Sequence, residues 1–146
     1  MKLGRFQEQD IEWMILEEND DEYLLLSKDV LMIKPYHEEY QNITWKKCTL
    51  NRYLNNEFKT ECFVDSSNIL EISLLSIKQA QKYFDSNEQR CACLMNTNKY
   101  VSYWLIDRGN YPTNASVVFK TGGISIGGYK ACDITRGVRV LMRVKK

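Results

Sequence analysis

The chain has 146 residues, 44% of them hydrophobic, and 20 Lys and Arg stand against 19 Asp and Glu for a formal charge of +1. That length predicts one domain, residues 1–146, able to bury a core without metal or disulfide staples. The composition excludes a disordered, collagen-like or coiled-coil chain.

Taken in order, the opening "MKLGRFQEQDIEW" has no apolar run after its charges, so no signal peptide is expected. The longest apolar runs are far too short to span a bilayer, which predicts a cytoplasmic protein without membrane contact. "IEWMIL" (11–16) reads as a strand, "ENDDE" (18–22) as a turn and "YLLLS" (23–27) as the returning strand of a hairpin. "VLMIKPY" (30–36) reads as a short strand ending at Pro35, and His37, the one imidazole, as a solvated loop residue in "KPYHEEY".

In "TWKKCTLNRYLNNEF" (44–58), Leu50, Tyr53, Leu54 and Phe58 fall at i, i+3, i+4 and i+8, one face of a helix of about ten residues. Thr49 is placed as its N-cap and Trp45 as a packing anchor. Asn51, Asn55 and Asn56 are poor helix formers, and their place near the helix end predicts local capping bonds rather than a ligand site. "ILEISLLS" (69–76) reads as a strand. "SIKQAQKYF" (76–84) reads as a helix opened by a capping box, with Ser76 at N-cap and Gln79 at N3. Residues 85–90 read as a turn or short helix. Short strands then follow at 100–106, 116–119, 123–126 and 137–144. In the last of these, Val138, Val140 and Met142 alternate with Arg139, Leu141 and Arg143. Gly122–Gly123 and Gly127–Gly128 predict tight turns at both ends of "ISI"; no Gly-Lys-Ser/Thr follows, so they are not a phosphate loop. The sum is an α+β fold, with two helices on antiparallel strands and long loops in the C-terminal half.

The charge is uneven. Residues 1–73 hold 8 Lys and Arg against 15 Asp and Glu, and residues 74–146 hold 12 against 4. The halves are expected to interleave and complement each other. No Lys/Arg run exceeds two residues, so no nucleic-acid partner is expected. The five cysteines, Cys48, Cys62, Cys91, Cys93 and Cys132, are odd in number and follow no leader, which predicts reduced, mostly buried thiols. Cys91 and Cys93 form C-x-C, half of a metal site without its second pair, and no metal or cofactor is expected. A Cys48–His37 nucleophile–base pair has no third, orienting group in the pattern.

The residue types that suit recognition gather in two late loops. "YWLIDRGNYPTN" offers Trp104, Asp107, Arg108, Asn110, Tyr111 and Asn114, and "GYKACDITRGVR" offers Tyr129, Asp133 and Arg136. Trp104, Asp107, Arg108, Asn110, Asn114, Tyr129, Asp133 and Arg136 are the candidate ligand-binding residues, and no catalytic residue is assigned.

The order of "LGRF…DIEWMILE", "YLLLSKDVL", "TWKKCTLNRYLNNEF", "LLSIKQAQKYF", "YWLIDRG" and "GVRVLMRV" resembles an uncharacterised bacterial domain family. It is common in Firmicutes and mobile elements, and looks related to the C-type-lectin-like and formylglycine-generating-enzyme-like folds. The chain departs from the pattern at two arginines. The family's Leu-Arg-x-Trp-Leu-Asn is here Leu50-Asn51-Arg52-Tyr53-Leu54-Asn55, and its Trp-Trp-Leu-Arg-Ser is Tyr103-Trp104-Leu105-Ile106-Asp107. The resemblance implies a C-type-lectin-like fold, with "TWKKCTLNRYLNNEF" as its scaffold helix, and no assigned activity. The calcium-binding loop motifs of sugar-binding lectins are absent, so no calcium site is expected. The function expected is a non-catalytic module for a protein, glycan or small-molecule ligand, of undetermined oligomeric state. The alternatives are an enzyme using a reactive cysteine or metal, and a structural or assembly domain.

Overall fold

In the computed structural model, which describes residues 1–146, ten strands build two five-stranded sheets. The first sheet is ordered β1 (Lys2–Phe6), β2 (Gln9–Glu18), β3 (Glu22–Ser27), β10 (Leu141–Lys145) and β5 (Ile69–Ser73), antiparallel throughout. The second is ordered β4 (Met32–Ile33), β9 (Gly137–Val138), β6 (Tyr103–Arg108), β7 (Asn114–Val118) and β8 (Ile124–Lys130), antiparallel except between β6 and β9. The helical pieces are short: a 3-10 turn at Trp45–Lys47, α1 (Thr49–Tyr53), a π-helical stretch Leu54–Phe58, α2 (Lys59–Cys62), α3 (Ile77–Lys82) and α4 (Asn87–Arg90). The molecule is one compact domain in which strands dominate, so α+β holds loosely and the expected balance of two helices and long loops is corrected.

The hairpin expected over 11–27 is β2–β3. Its turn is closed by Asn19, whose Oδ1 accepts the N–H groups of Asp21 and Glu22. β3 shows no alternation in sequence because it is buried on both faces. Leu25 joins the larger core, with Trp104, Leu54, Phe58, Ile72 and Met142, while Leu26 joins a smaller one, with Leu75, Ala80, Phe84 and Leu105. Each such side chain removed from water contributes about 1.5–3 kcal/mol. β1 has no counterpart in the sequence reading. It turns into β2 through Gln7 and Glu8, both in the left-handed region without a glycine to announce it.

The helix of 44–58 forms with the expected face inward, since Leu50, Leu54 and Phe58 are fully buried. Two details differ. The N-cap is Cys48, whose Sγ accepts the N–H of Asn51, while the Thr49 hydroxyl accepts the N–H of Glu38. The helix also continues to Cys62 through the π-helical stretch. Within that stretch the Asn55 amide faces β5. Its Nδ2 donates to Ile72 O (2.9 Å), and its Oδ1 accepts from Ile72 N (3.3 Å). One side chain thus closes the outer edge of β5 as a neighbouring strand would. The capping box at the start of α3 is present as read, with both the Ser76 and Gln79 bonds made.

Two further expectations are corrected. Gly127–Gly128 is not a turn after "ISI" but lies inside β8. Gly128 has φ +66° against the Ala115 carbonyl, where the β7–β8 register shifts. Gly122–Gly123, by contrast, forms the β7–β8 turn, with Gly122 N donating to Phe119 O. The segment 137–144 is not one half-buried strand. It splits where the chain passes from the second sheet to the first, and residues 137–142 are all buried there.

Arg139 lies at that crossing, 3% exposed and with no carboxylate in ion-pair contact. Its Nε donates to Ser27 O (2.8 Å) and its Nη2 to Lys28 O (3.1 Å). Its Nη1 reaches Tyr103 Oη (3.3 Å) and Arg90 O (3.5 Å). The rings of Phe84 and Tyr103 flank the guanidinium at 5.5 and 5.4 Å. Backbone carbonyl dipoles and aromatic faces carry the charge in place of a counter-ion. The unlike halves of the chain do meet elsewhere, as Lys82, Arg143 and Lys146 pair with Glu17, Glu22 and Glu18 of the β2–β3 hairpin.

Candidate functional site

The candidate loop residues divide by environment. Trp104 is fully buried: its Nε1 donates to Lys34 O (3.0 Å) and its ring meets Tyr36 edge-on, so it offers no surface to a ligand. Asp107 is occupied within the fold. Its Oδ2 accepts the N–H of Ile77 (2.7 Å) at the first turn of α3 and fastens that helix to β6.

Tyr129, Asp133 and Arg136 come together. The Arg136 guanidinium stacks 3.9 Å above the Tyr129 ring, and its Nη1 donates to Ser102 Oγ (2.9 Å). Its buried Nε has no hydrogen-bond partner and lies 3.5 Å from Asp133 Oδ2. Partial burial works against ionisation of Asp133. The bonds from Thr135 and the charge of Arg136 outweigh it and hold the carboxyl below its ordinary value. This cluster fixes the shape of the 129–136 loop.

Arg108, Asn110 and Asn114 sit at the β6–β7 hairpin end. Arg108 and Asn110 are exposed, and Asn114 is half-buried with its Oδ1 taking a bond from Thr113 (3.3 Å). The register sets Asn114 opposite Lys130, and Arg108 and Tyr129 each opposite Ala115, so both late loops meet at this end. The 34–43 connection is tied to the same end by His37 N to Ala131 O and Ile43 N to Pro112 O, each 3.0 Å. It brings a residue the sequence reading missed: Tyr40, 65% exposed, with Lys130 Nζ 5.2 Å from its ring centre. Tyr111, named with its loop, is 66% exposed beside Pro112. Nothing in "HEEYQN" separates Tyr40 from an ordinary loop tyrosine. Its place follows from pairings distant in sequence.

The same connection overturns the solvated reading of His37. The ring is 5% exposed, its Nδ1 accepts the Thr49 N–H (3.1 Å), and its Nε2 lies 2.8 Å from the Gln41 amide. Nδ1, as acceptor of the Thr49 N–H, serves the start of the helix, and Nε2 faces the Gln41 Nε2 amide group. Cys48 turns to other partners, donating to Trp45 O and accepting from Asn51 N, so no thiol–imidazole couple forms.

All five cysteines are free, with Cys48 and Cys62 buried and Cys91, Cys93 and Cys132 half-buried. Burial pushes the Cys48 thiol up to about 11, against backbone bonds from Asn51 and Leu50 that pull it down. Burial, with the nearby Glu61 charge, pushes Cys62 to about 11 as well. A thiol two units above its ordinary value holds about a hundredfold less thiolate at neutral pH. Alkylation of Cys48 and Cys62 by iodoacetamide, followed residue by residue by mass spectrometry, is therefore expected to be at least about a hundredfold slower at pH 7.5 than for free cysteine. The rate should climb until the pH passes about 11, provided the fold holds. Fast labelling of either in the folded protein at pH 7.5 would contradict the burial. No three His, Cys, Asp or Glu side chains converge as a metal-holding group.

The main surface clefts lie away from the loop face. The most enclosed of the larger ones, about 340 Å³, opens between the first sheet and α3. No helix is long and apolar enough to cross a membrane.

A family model described as a domain of unknown function (DUF6273) matches residues 20–81, from the β2–β3 turn through most of α3. No curated protein and no solved structure matches the chain. The matched span holds the helical run from Thr49 to Cys62 and β5, and the loop face is built chiefly outside it.

Proposed function

We propose that the protein is a non-catalytic binding module that engages a protein partner through its loop face. The observation that carries this reading is the pair Tyr40 and Tyr111. Both are about two-thirds exposed, and they stand on loops joined by the Ile43–Pro112 backbone bond. Tyrosine gives large contact area at low cost in side-chain freedom, and rigid loops spare the ordering entropy of association. Arg108 and Lys130 add positive charge, and the carboxylate in the adjoining loop, Asp133, is engaged with Thr135 and Arg136. Glu38 and Glu39, exposed beside Tyr40, add negative charge, so the face suits a partner that offers groups of both signs at its contact.

The relation to the C-type-lectin-like fold and to bacterial families goes with this reading. It is supported by the sequence resemblance and by loops from distant parts of the chain gathered at one end of a sheet. A cytoplasmic setting is supported by five unpaired thiols. Of the cysteines that an enzyme reading would use, Cys48, Cys91 and Cys93, burial and a raised thiol disfavour Cys48.

The test compares the wild-type protein with Tyr40→Ala/Tyr111→Ala for capture of partners from an extract of the encoding organism, with binding then measured on the purified pair. The double variant is expected to keep its unfolding midpoint and to weaken binding by about 2–4 kcal/mol. Equal binding by the two proteins would refute the loop face. Retention on a glycan array in place of any protein would move the reading to carbohydrate.

A further inference from the structure

The cleft between the first sheet and α3 is separate from the loop face, and a ligand held in it is independent of the function proposed for that face. Its apolar lining includes Leu24, Leu141 and Ile106. Across it runs one row of the sheet, in which Arg143 of β10 stands opposite Leu24 of β3 on one side and Glu71 of β5 on the other. Directly opposed residues share a face, with Cβ atoms about 4.5–5.5 Å apart.

The bonding along this row is incomplete. Arg143 makes one ion pair, Nε to Glu22 Oε2 at 3.4 Å, and its two Nη groups bond nothing. Glu71 has neither an ion-pair nor a hydrogen-bond partner, although its nearest cross-strand neighbour is the arginine. Glu17, at the cleft edge, is already engaged: the bond from Lys82 at 2.8 Å is the main cause that holds its carboxyl below the ordinary range. The cleft thus presents one free guanidinium edge and one free carboxylate, one strand apart, beside an apolar wall.

We infer that this cleft binds a small zwitterion whose ammonium and carboxylate are adjacent, an α-amino acid with an apolar side chain. Its carboxylate takes the Nη edge of Arg143, its ammonium takes Glu71, and its side chain lies over Leu24, Leu141 and Ile106. The charges argue against simpler ligands. A plain anion meets Glu22 and Glu71, a plain cation meets Arg143, and an uncharged apolar molecule covers two charged groups without bonding them. The volume, about 340 Å³, lies at the lower end of small-ligand sites.

The experiment is isothermal titration calorimetry of the full chain with leucine, methionine and phenylalanine. Leucinamide, which lacks the carboxylate, and 4-methylpentanoate, which lacks the ammonium, are the comparison ligands. At least one amino acid is expected to bind, with both leucine analogues at least about tenfold weaker than leucine. Glu71→Gln and Arg143→Gln each change an exposed side chain on the sheet face. Each is expected to weaken binding at least about tenfold while leaving the circular dichroism spectrum unchanged. Tyr40→Ala/Tyr111→Ala should leave it unaltered. Absence of heat with all three amino acids up to about 10 mM overturns the inference. So does equal binding of leucinamide, which would make the cleft an amine site, and so does undiminished binding by Glu71→Gln.

Discussion

Arg139→Lys is expected to lower the unfolding free energy by about 2–4 kcal/mol, although it keeps the charge. The guanidinium reaches Ser27 O, Lys28 O, Arg90 O and Tyr103 Oη from three nitrogens held in one plane. A single ammonium nitrogen, one atom shorter in reach, cannot meet carbonyls so spread out. It would leave buried acceptors unbonded and a charge without its full set of dipoles. Arg139→Ala should cost more, since a cavity between the two sheets adds to the lost bonds. Urea unfolding followed by far-ultraviolet circular dichroism measures both. The lysine variant keeps the test decisive where the alanine variant does not fold. A lysine variant within about 0.5 kcal/mol of wild type would show that charge alone, and not the fork geometry, is what this position needs.

The second large effect is expected at Asn55. Asn55→Ala removes both the donor to Ile72 O and the acceptor for Ile72 N, and Ile72 is 1% exposed. Each orphaned backbone group costs about 1–3 kcal/mol, so a loss of about 2–4 kcal/mol is expected. Asn55→Asp should be at least as damaging, because it sets an anion against the Ile72 carbonyl. Amide exchange separates this from a general loss of helix. The Ile72 N–H should exchange much faster in Asn55→Ala, while the Met142 amide, on the neighbouring strand, should follow global stability alone. An unchanged Ile72 rate would mean that water replaces the side chain at no cost.

Both residues show where sequence reading stopped. The apolar pattern carried far: the β2–β3 hairpin, the buried face of Leu50, Leu54 and Phe58, and the Ser76–Gln79 capping box were all legible, because each is set by neighbours within a few positions. Polar residues that bond distant backbone were not. Arg139, Asp107, Asn55 and His37 satisfy carbonyl or N–H groups far along the chain, and a sequence does not distinguish such a residue from one that meets a ligand. Trp104 and Asp107 entered the candidate site for that reason, and Tyr40 was missed for the converse one. The Arg143–Glu71 row needed strand register, which joins β10 to β5 across half of the chain. Residues 137–142 misled because alternation presumes one sheet, and this segment crosses between two.

The place of β10 has a consequence in time. It follows every other strand in the chain yet lies between β3 and β5, and Arg139, just before it, bonds a residue 112 positions earlier. As the chain leaves the ribosome, β3 waits with one edge unpaired and β5 with no strand beside it until β10 arrives. Closing so long a loop makes this a protein of high contact order, whose first sheet completes in a single late step. Until that step, a nascent chain presents Leu25 and Ile72 without the strand that joins them. Its vulnerability to aggregation should be concentrated there, and should end when Met142 slides between them.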